Sequence, residues 1–276
     1  MSGDFADFLV KDQKVRKDWV DLRDQDYVPG LSVLPDSILL SDGLFRNNDA
    51  GGTRPVFGVR NQGATGRCVG YALANLIDIQ RGLRRVRLPS ASGAAFETVS
   101  ADMLYNMAFF HDRYPDLEQR AVRRVEGIRT LRSGIKGFYH HGVCLDWEGD
   151  TPPAHRWKSY ADTTRWSDDL REPGFPTVEQ AKRAREIGLG AYFRLASVLN
   201  HFHAALNEAE TILATANIHD GWLQATPANE GTITWPVTPT LGGNHAFVLT
   251  GYDKYGFHVL NTWGCLLYTS PSPRDS

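Results

Sequence analysis

Apolar side chains recur at helical spacing in the first half of the chain. Between Cys68 and Gly82 they form one stripe, which consists of Val69, Ala72, Leu73, Leu76, Ile77 and Ile79. Such a stripe predicts a helix with one buried face. A second helix is expected after Ser100, because serine commonly caps helix N-termini. Further helices are predicted over 8–19 and over 128–138, the latter ended by the run His140-His141-Gly142.

The pattern changes to strands in the second half. Residues 192–195, 211–218, 232–237, 246–250 and 257–260 are expected strands, and the last two are joined by a turn over 253–256. Pro236 places 232–237 at a sheet edge, and a short helix is expected over 202–209. Residues 146–176, rich in Asp, Pro, Trp and Arg, predict a surface loop. Helices followed by strands indicate an α+β fold.

Composition narrows the function classes. The chain has 276 residues, 42% of them hydrophobic, and a net charge of -2, so a substantial core is expected without a basic surface for nucleic acid. No apolar run reaches membrane-spanning length, and acidic residues stand where a secretory signal would carry basic ones. Three cysteines form no disulfide framework, so we expect a reducing, cytoplasmic location. The sequence does not indicate which oligomeric state the protein has.

One segment carries the residues of a thiol nucleophile. Gln62 stands six positions before Cys68, and a glycine-rich turn that includes Gly66 lies between them. A cysteine at a helix start is favoured as thiolate by the helix dipole and by a nearby imidazolium. Gln62 is expected to donate its amide, beside the backbone N–H of Cys68, to the oxyanion of an attacked carbonyl. The alternative interpretation of Cys68 is a small buried hydrophobic residue.

A second segment supplies the base. His245 leads a predicted strand after Asn244, and Asn261 follows sixteen residues later, two positions before Trp263. The turn between the two strands brings both strand starts to one end, where Asn261 can fix the tautomer of His245. Trp263 is expected to shield this contact from water. His140, His141 and Cys144 are a weaker alternative as zinc ligands, because no second ligand cluster accompanies them. No cofactor is expected.

The segments 62–72, 244–251 and 261–264 resemble the papain-like cysteine peptidases (the C1 family), in particular the bacterial and archaeal members without disulfides. The resemblance implies two lobes, a helical lobe over 34–188 and an antiparallel β-barrel lobe over 189–264, with the active site in the cleft between them. It also implies roles for Cys68 as nucleophile, Gln62 as oxyanion donor, His245 as base and Asn261 as orienting residue. Further substrate contacts are expected from Gly66, Gly127, Asn244 and Trp263. The alternative interpretation of Gly127 is a glycine in an ordinary turn.

The chain also departs from that pattern. Thr65 stands at the usual disulfide partner, Arg67 adds a charge beside the thiol, and Val69 replaces an aromatic wall of the cleft. Residues 1–33 are an N-terminal extension too short for the usual propeptide. The closing strands of the family are absent after Gly264, so we predict a truncated barrel followed by a non-native tail over 265–276.

The resemblance implies a peptidase, most simply an endopeptidase, that acts on peptide or protein substrates through a thioester on Cys68. The alternative is a catalytically inactive papain-like module that binds peptides or regulates a partner. A missing catalytic residue would favour this alternative, and none of the four is missing.

Overall fold

The computed structural model describes residues 15, 24–30, 32–40, 59–63, 65–87, 96–112, 130–147, 153–158, 175–225, 229, 231–236, 241–264 and 267–271. The helix predicted over 8–19 lies outside these residues except for Val15. No helix in this part of the chain combines the length and the apolarity needed to cross a membrane.

Three helices form the first half. They are α1 (Cys68–Arg87), α2 (Ala101–His111) and α3 (Leu131–His141). The Ser100 hydroxyl accepts a hydrogen bond from the Met103 N–H and caps α2, as predicted. α1 runs five residues beyond its predicted end at Gly82, because no residue there interrupts the helical backbone.

The third helix is shifted from its predicted bounds. Thr130 caps its start by accepting from the Ser133 N–H, so α3 begins three residues later than expected. His140 and His141 form its last turn, and Gly142, at a φ of 68°, ends it. A positive φ suits glycine because it has no Cβ. A side chain there would also meet the Ala184 carbonyl oxygen, 2.0 Å from the ideal Cβ position.

Three more helices follow: α4 (Val178–Ala184), α5 (Leu199–Ala209) and α6 (Asp220–Gln224). The prediction over 202–209 is confirmed in α5, which begins three residues earlier. α4 and α6 were not predicted. α4 has a recognisable start signal, since Thr177 and Gln180 form a reciprocal capping box.

The strands form one antiparallel sheet and one small parallel pair. The sheet contains β1 (Ile38–Leu39), β4 (Ile212–His219), β5 (Leu241–Asp253), β6 (Gly256–Leu260) and β7 (Leu267–Pro271). β5 is central: β4 and β1 pair with successive parts of it, β6 pairs along its other side, and β7 adds to β6. The strands expected over 211–218, 246–250 and 257–260 are confirmed.

Two strand predictions and part of the loop prediction are wrong. Within 192–195 only Arg194 forms a β-bridge. Its partner is Asp26, and the described segment around Asp26 supplies only this one pairing residue. Residues 231–236 contain no strand; Pro236 lacks an N–H and restricts the residue before it. The described part of 146–176 contains the parallel pair β2 (Asp146–Trp147) and β3 (Trp157–Lys158).

The buried residues form three clusters. One lies among the helices and includes Met103, Leu104 and Phe138. A second lies between α5 and the sheet and includes Leu206 and Phe257. The third joins the two halves, and consists of Val15, Cys68, Val69, Ala72, Ile79, Tyr105, Ala108, Ala246, Val248 and Leu260. The start of α1 therefore packs where helices and sheet meet.

Candidate active site

Cys68 is the first residue of α1 and is 1% exposed. The first N–H groups of a helix have no partner within the helix, so the backbone at Cys68 presents donors at the position of the thiol. The Cys68 sulfur also faces the backbone N–H of Ala246 on β5. Because Ala246 directly follows His245, the thiol lies beside the strand position that carries the imidazole.

Burial controls the protonation of both groups. It raises the pKa of the Cys68 thiol to about 11, although the N–H groups of Ala246, Val69 and Cys68 oppose the rise. Burial also lowers the pKa of His245 to about 4, opposed by its hydrogen bond to Asn261. Both groups are therefore neutral in this conformation, because desolvation outweighs the helix dipole and the hydrogen bonds. The thiolate expected from the helix start requires a more hydrated site.

The hydrogen bonds of Asn261 fix the tautomer of His245. The Asn261 Oδ1 atom lies 2.7 Å from His245 Nε2 and also accepts the Thr262 N–H at 2.7 Å. The backbone N–H can only donate, so the amide atom between the two groups is the oxygen. His245 Nε2 must therefore carry the hydrogen. The basic nitrogen is Nδ1, which is buried and has no hydrogen-bond partner in the described part of the chain.

The loop before α1 is tied to the Asn261 segment. The Gln62 N–H donates to the Thr262 carbonyl at 2.8 Å, and the Thr262 hydroxyl donates to Gln62 Oε1. Gln62 Nε2 donates to the Thr65 carbonyl at 2.6 Å, so Gln62 is held at both ends of its amide. The Gln62 side chain is completely buried. These contacts place it at the same junction as Cys68 and Asn261.

Val15 also reaches the site. It is 3% exposed, belongs to the buried cluster that contains Cys68, and accepts a hydrogen bond from Asn244 Nδ2 through its carbonyl. Asn244 stands directly before His245. Val15 therefore packs at the segment that carries His245, in a site whose main side chains are themselves almost fully buried. Nothing in the sequence pattern around Val15 indicated this contact.

The remaining predicted substrate contacts lie in different places. Gly66 is buried two residues before Cys68, and Trp263 is half-buried, with its ring 4.6 Å from that of His245. Gly127 lies outside the described residues. Val69 is completely buried and packs closely against Gly134 of α3.

Two groups near the site were missed by sequence reasoning. Thr262 bridges Gln62 and Asn261, and Trp222 of α6 packs edge-on to both His245 and Trp263, with ring centroids 6.2 and 6.1 Å away. Thr262 directly follows Asn261 in the sequence, so its position near the site could have been predicted. Trp222 was hidden, because α6 itself was not predicted.

The alternative zinc ligands are not brought to one site. His141 Nε2 lies 3.2 Å from His111 Nε2, whereas the Cys144 thiol donates to the Gln180 carbonyl. No group of three or more His, Cys, Asp or Glu in the described ranges is arranged to hold a metal ion.

The fold was compared with those of known proteins. No protein-family model and no curated protein sequence matches the chain. Among solved structures, xylellain, a cysteine protease from Xylella fastidiosa, is similar with a TM-score of 0.65 and 23% identity over 95% of this chain and 90% of that one. The chain has the papain-like fold.

Two precursor structures agree with this papain-like fold. Procathepsin L 3 of the Tenebrio molitor larval midgut has a TM-score of 0.59 and 14% identity over 98% of this chain and 73% of that one. ProCathepsin B S9 from Trypanosoma congolense has a TM-score of 0.54 and 13% identity over 98% and 83%, respectively.

Proposed function

We propose that the protein is a cysteine-type peptidase that hydrolyses internal bonds of peptide or protein substrates. Cys68 acts as nucleophile, His245 as general base and acid, Asn261 as the residue that orients it, and Gln62 as an oxyanion donor. The hydrogen bond between His245 Nε2 and Asn261 Oδ1 carries the proposal. It leaves the basic nitrogen, Nδ1, available next to Ala246, whose N–H faces the Cys68 thiol.

The first half of the reaction forms a thioester. His245 Nδ1 takes the thiol proton as the Cys68 sulfur attacks the substrate carbonyl carbon, whose oxygen becomes negatively charged. The Cys68 N–H and the second amide hydrogen of Gln62 stabilise this oxygen. Each such donor contributes about 10²–10³ in rate. The tetrahedral intermediate then collapses: the C–N bond breaks, and the leaving amine takes the proton from the imidazolium.

The second half releases the acyl group. Water gives a proton to His245 Nδ1 and attacks the thioester carbonyl, which again places negative charge on the oxygen beside Gln62. Collapse breaks the C–S bond and frees a carboxylic acid, and the imidazolium returns its proton to the sulfur. The hydrogen bond to Asn261 keeps Nε2 protonated throughout, so that only Nδ1 exchanges protons.

The surroundings of the neutral Cys68 and His245 side chains must become more polar before the two groups react. Burial holds the thiol pKa high and the imidazole pKa low, and both shifts disfavour the charged pair. Displacement of Val15 by a substrate would bring polar peptide groups and water to the site. The two pKa values would then move towards each other, which favours proton transfer from Cys68 to His245.

The experiment is the Cys68→Ala variant, assayed for hydrolysis of a quenched peptide mixture and for labelling by a thiol-directed epoxide inhibitor. We expect both to be lost. Cys144→Ala is the matched control and should retain both, since the Cys144 thiol is buried against the Gln180 carbonyl. Labelling that persists when residue 68 is alanine would show that the nucleophile is elsewhere.

A second candidate function is peptide binding without turnover. The 1% exposure of Cys68 and the position of Val15 favour it, since a covered thiol cannot meet a substrate. Single-turnover assays separate the two functions. A burst of released amine supports the peptidase, and tight peptide binding without such a burst supports the binding module.

A further inference from the structure

Aromatic rings lead from His245 towards the protein surface. The Trp222 ring lies 6.2 Å from that of His245 and 6.5 Å from that of His219 at the end of β4. The His219 ring in turn lies 4.6 Å from that of Trp235, at an interplanar angle of 66°. Three successive ring contacts therefore connect the proposed base to Trp235. We call Trp222, His219 and Trp235 the aromatic row.

Trp235 is the outer end of the aromatic row. Its side chain is 63% exposed, whereas His219 and Trp222 are 6% and 5% exposed. An exposed tryptophan leaves a large apolar surface in water, and tryptophan is enriched where proteins bind partners. The inner members are packed into the protein and provide a rigid base for the exposed ring.

The segment that carries Trp235 is held against α6. An ideal Cβ on Gly221 would lie 1.9 Å from the Thr234 carbonyl oxygen, so this close approach requires glycine. The Gly221 N–H donates to His219 Nδ1 at 3.2 Å, which orients the imidazole under the Trp235 ring. These contacts fix the ring before any ligand arrives, which lowers the entropic cost of binding.

The chemistry of the proposed reaction indicates which part of a substrate lies next to His245, where this row begins. His245 protonates the leaving amine, so the leaving segment of the peptide must cross the imidazole. The aromatic row begins at that imidazole and extends to the surface.

On the proposed function, we infer that Trp235, supported by His219, forms a subsite for an aromatic or large aliphatic side chain on the leaving side of the scissile bond. Trp235 thus acts as a specificity-determining residue. The side chain packs on the exposed face of the indole and removes apolar surface of both partners from water. Peptides with glycine at this position lose that contact and bind more weakly.

Digestion of a denatured protein mixture, with cleavage sites read by mass spectrometry, tests the subsite. The wild type should prefer aromatic and large aliphatic residues over glycine at one of the first leaving-side positions by about tenfold, a typical effect of one aromatic anchor. Trp235→Ala should lose this preference, and Trp235→Phe should retain most of it. Tyr255→Ala removes an aromatic ring that is 69% exposed in the turn between β5 and β6, and should leave it unchanged.

An unchanged preference in Trp235→Ala would overturn the inference while leaving the peptidase intact. A binding experiment separates failure of the proposed function from failure of the subsite. Cys68→Ala protein is titrated with hexapeptides that carry either phenylalanine or glycine at the selected position, or at each position in turn if the wild type cleaves nothing. Tighter binding of a phenylalanine peptide that is lost in the Cys68→Ala/Trp235→Ala double variant supports the subsite. Equal binding by both variants refutes it.

Discussion

Two regions of the molecule place histidine rings close to other polar groups, and they differ in the groups that the rings contact. At the ends of α2 and α3, His111 and His141 bring their Nε2 atoms within 3.2 Å, and the ring of His140 stacks on that of His111 at 5.0 Å. In the central strand β5, the ring of His245 is hydrogen-bonded to the side chain of Asn261. In the first region the histidines contact one another; in the second a single ring is oriented by an amide.

The two regions differ in the burial of the histidine rings and in the partners of their nitrogen atoms. His245 is completely buried, has a defined tautomer and keeps Nδ1 unbonded within the described residues. His141 is half-buried, and burial together with the charges of His140 and Arg185 lowers its pKa. Its Nε2 atom already lies against that of His111. Of these two arrangements, the one at His245 leaves a ring nitrogen without a hydrogen bond within the described residues, next to the strand residue whose N–H faces the Cys68 thiol.

The largest expected effect comes from removing each imidazole in turn. His245→Ala should lower kcat/KM for a fluorogenic peptide by about 10³, because the general base and acid is lost. His141→Ala should change kcat/KM by less than about twofold, since general acid–base catalysis requires contact with the reacting groups. Equal losses in the two variants would remove the distinction between the regions.

The pH dependence of stability sharpens the same comparison. Burial lowers the pKa of His245 from its ordinary value of 6.5 to about 4 in the folded protein, so between these values only the unfolded chain binds the proton. The stability contributed by neutral His245 is therefore fully present above pH 6.5 and is lost as the pH falls towards 4. The loss is about 3 kcal/mol.

Urea denaturation at several pH values measures this contribution. His245→Gln should flatten the curve of unfolding free energy between pH 4 and 6.5 relative to the wild type. His141→Gln should flatten it less, because His141 is only half-buried. An identical slope in wild type and His245→Gln would contradict the buried neutral state of His245.

The Val15→Asp variant tests whether Val15 limits access to Cys68. Val15→Asp places a carboxylate in an apolar cluster, so the N-terminal residue should leave it and expose Cys68. Alkylation of Cys68 by iodoacetamide should become about tenfold faster, which corresponds to the loss of one buried valine side chain. Val33→Asp, at a side chain that is 97% exposed, should leave the rate unchanged. A Val15→Asp rate equal to the wild-type rate would show that Val15 does not control access.

Asn261 has the smallest of these effects. Asn261→Ala removes one hydrogen bond to the imidazole, worth about 1 kcal/mol, and should lower kcat about fivefold with little change in KM. Asn207→Ala, on the exposed side of α5, is the control and should change neither constant. A rise in KM without a fall in kcat would indicate that Asn261 contacts substrate instead of orienting His245.

The sequence predicted those parts of the fold that local signals determine. The apolar stripe after Cys68 predicted α1, and the two strand segments joined by the turn at 253–256 predicted β5 and β6. The strand prediction at 192–195 was wrong because the composition of a segment does not determine whether another strand lies beside it to pair with. α6 was missed because its five residues show too short a pattern. The papain-like fold itself was predicted from the resemblance.

The sequence also predicted that His245 and Asn261 meet, but not the environment of the residues at the candidate site. The spacing of His245 and Asn261 along a hairpin indicated that they meet, since antiparallel strands bring sequence-distant residues together. The contact of Val15 with Asn244 depends on where a sequence-distant segment lies, and no periodicity encodes that. The complete burial of Gln62 and His245, and hence the direction of the His245 pKa shift, likewise depends on tertiary packing.

The rate at which iodoacetamide alkylates Cys68, measured against pH in the wild type and in His245→Gln, tests most directly whether thiol and imidazole act as a pair. In molecules whose site has opened, an imidazolium beside the sulfur should keep the wild-type thiol reactive below about pH 7, whereas an isolated thiol loses reactivity below about 8.5. We predict a wild-type profile displaced to lower pH by at least about one unit. Superimposable profiles would contradict the pairing of Cys68 with His245.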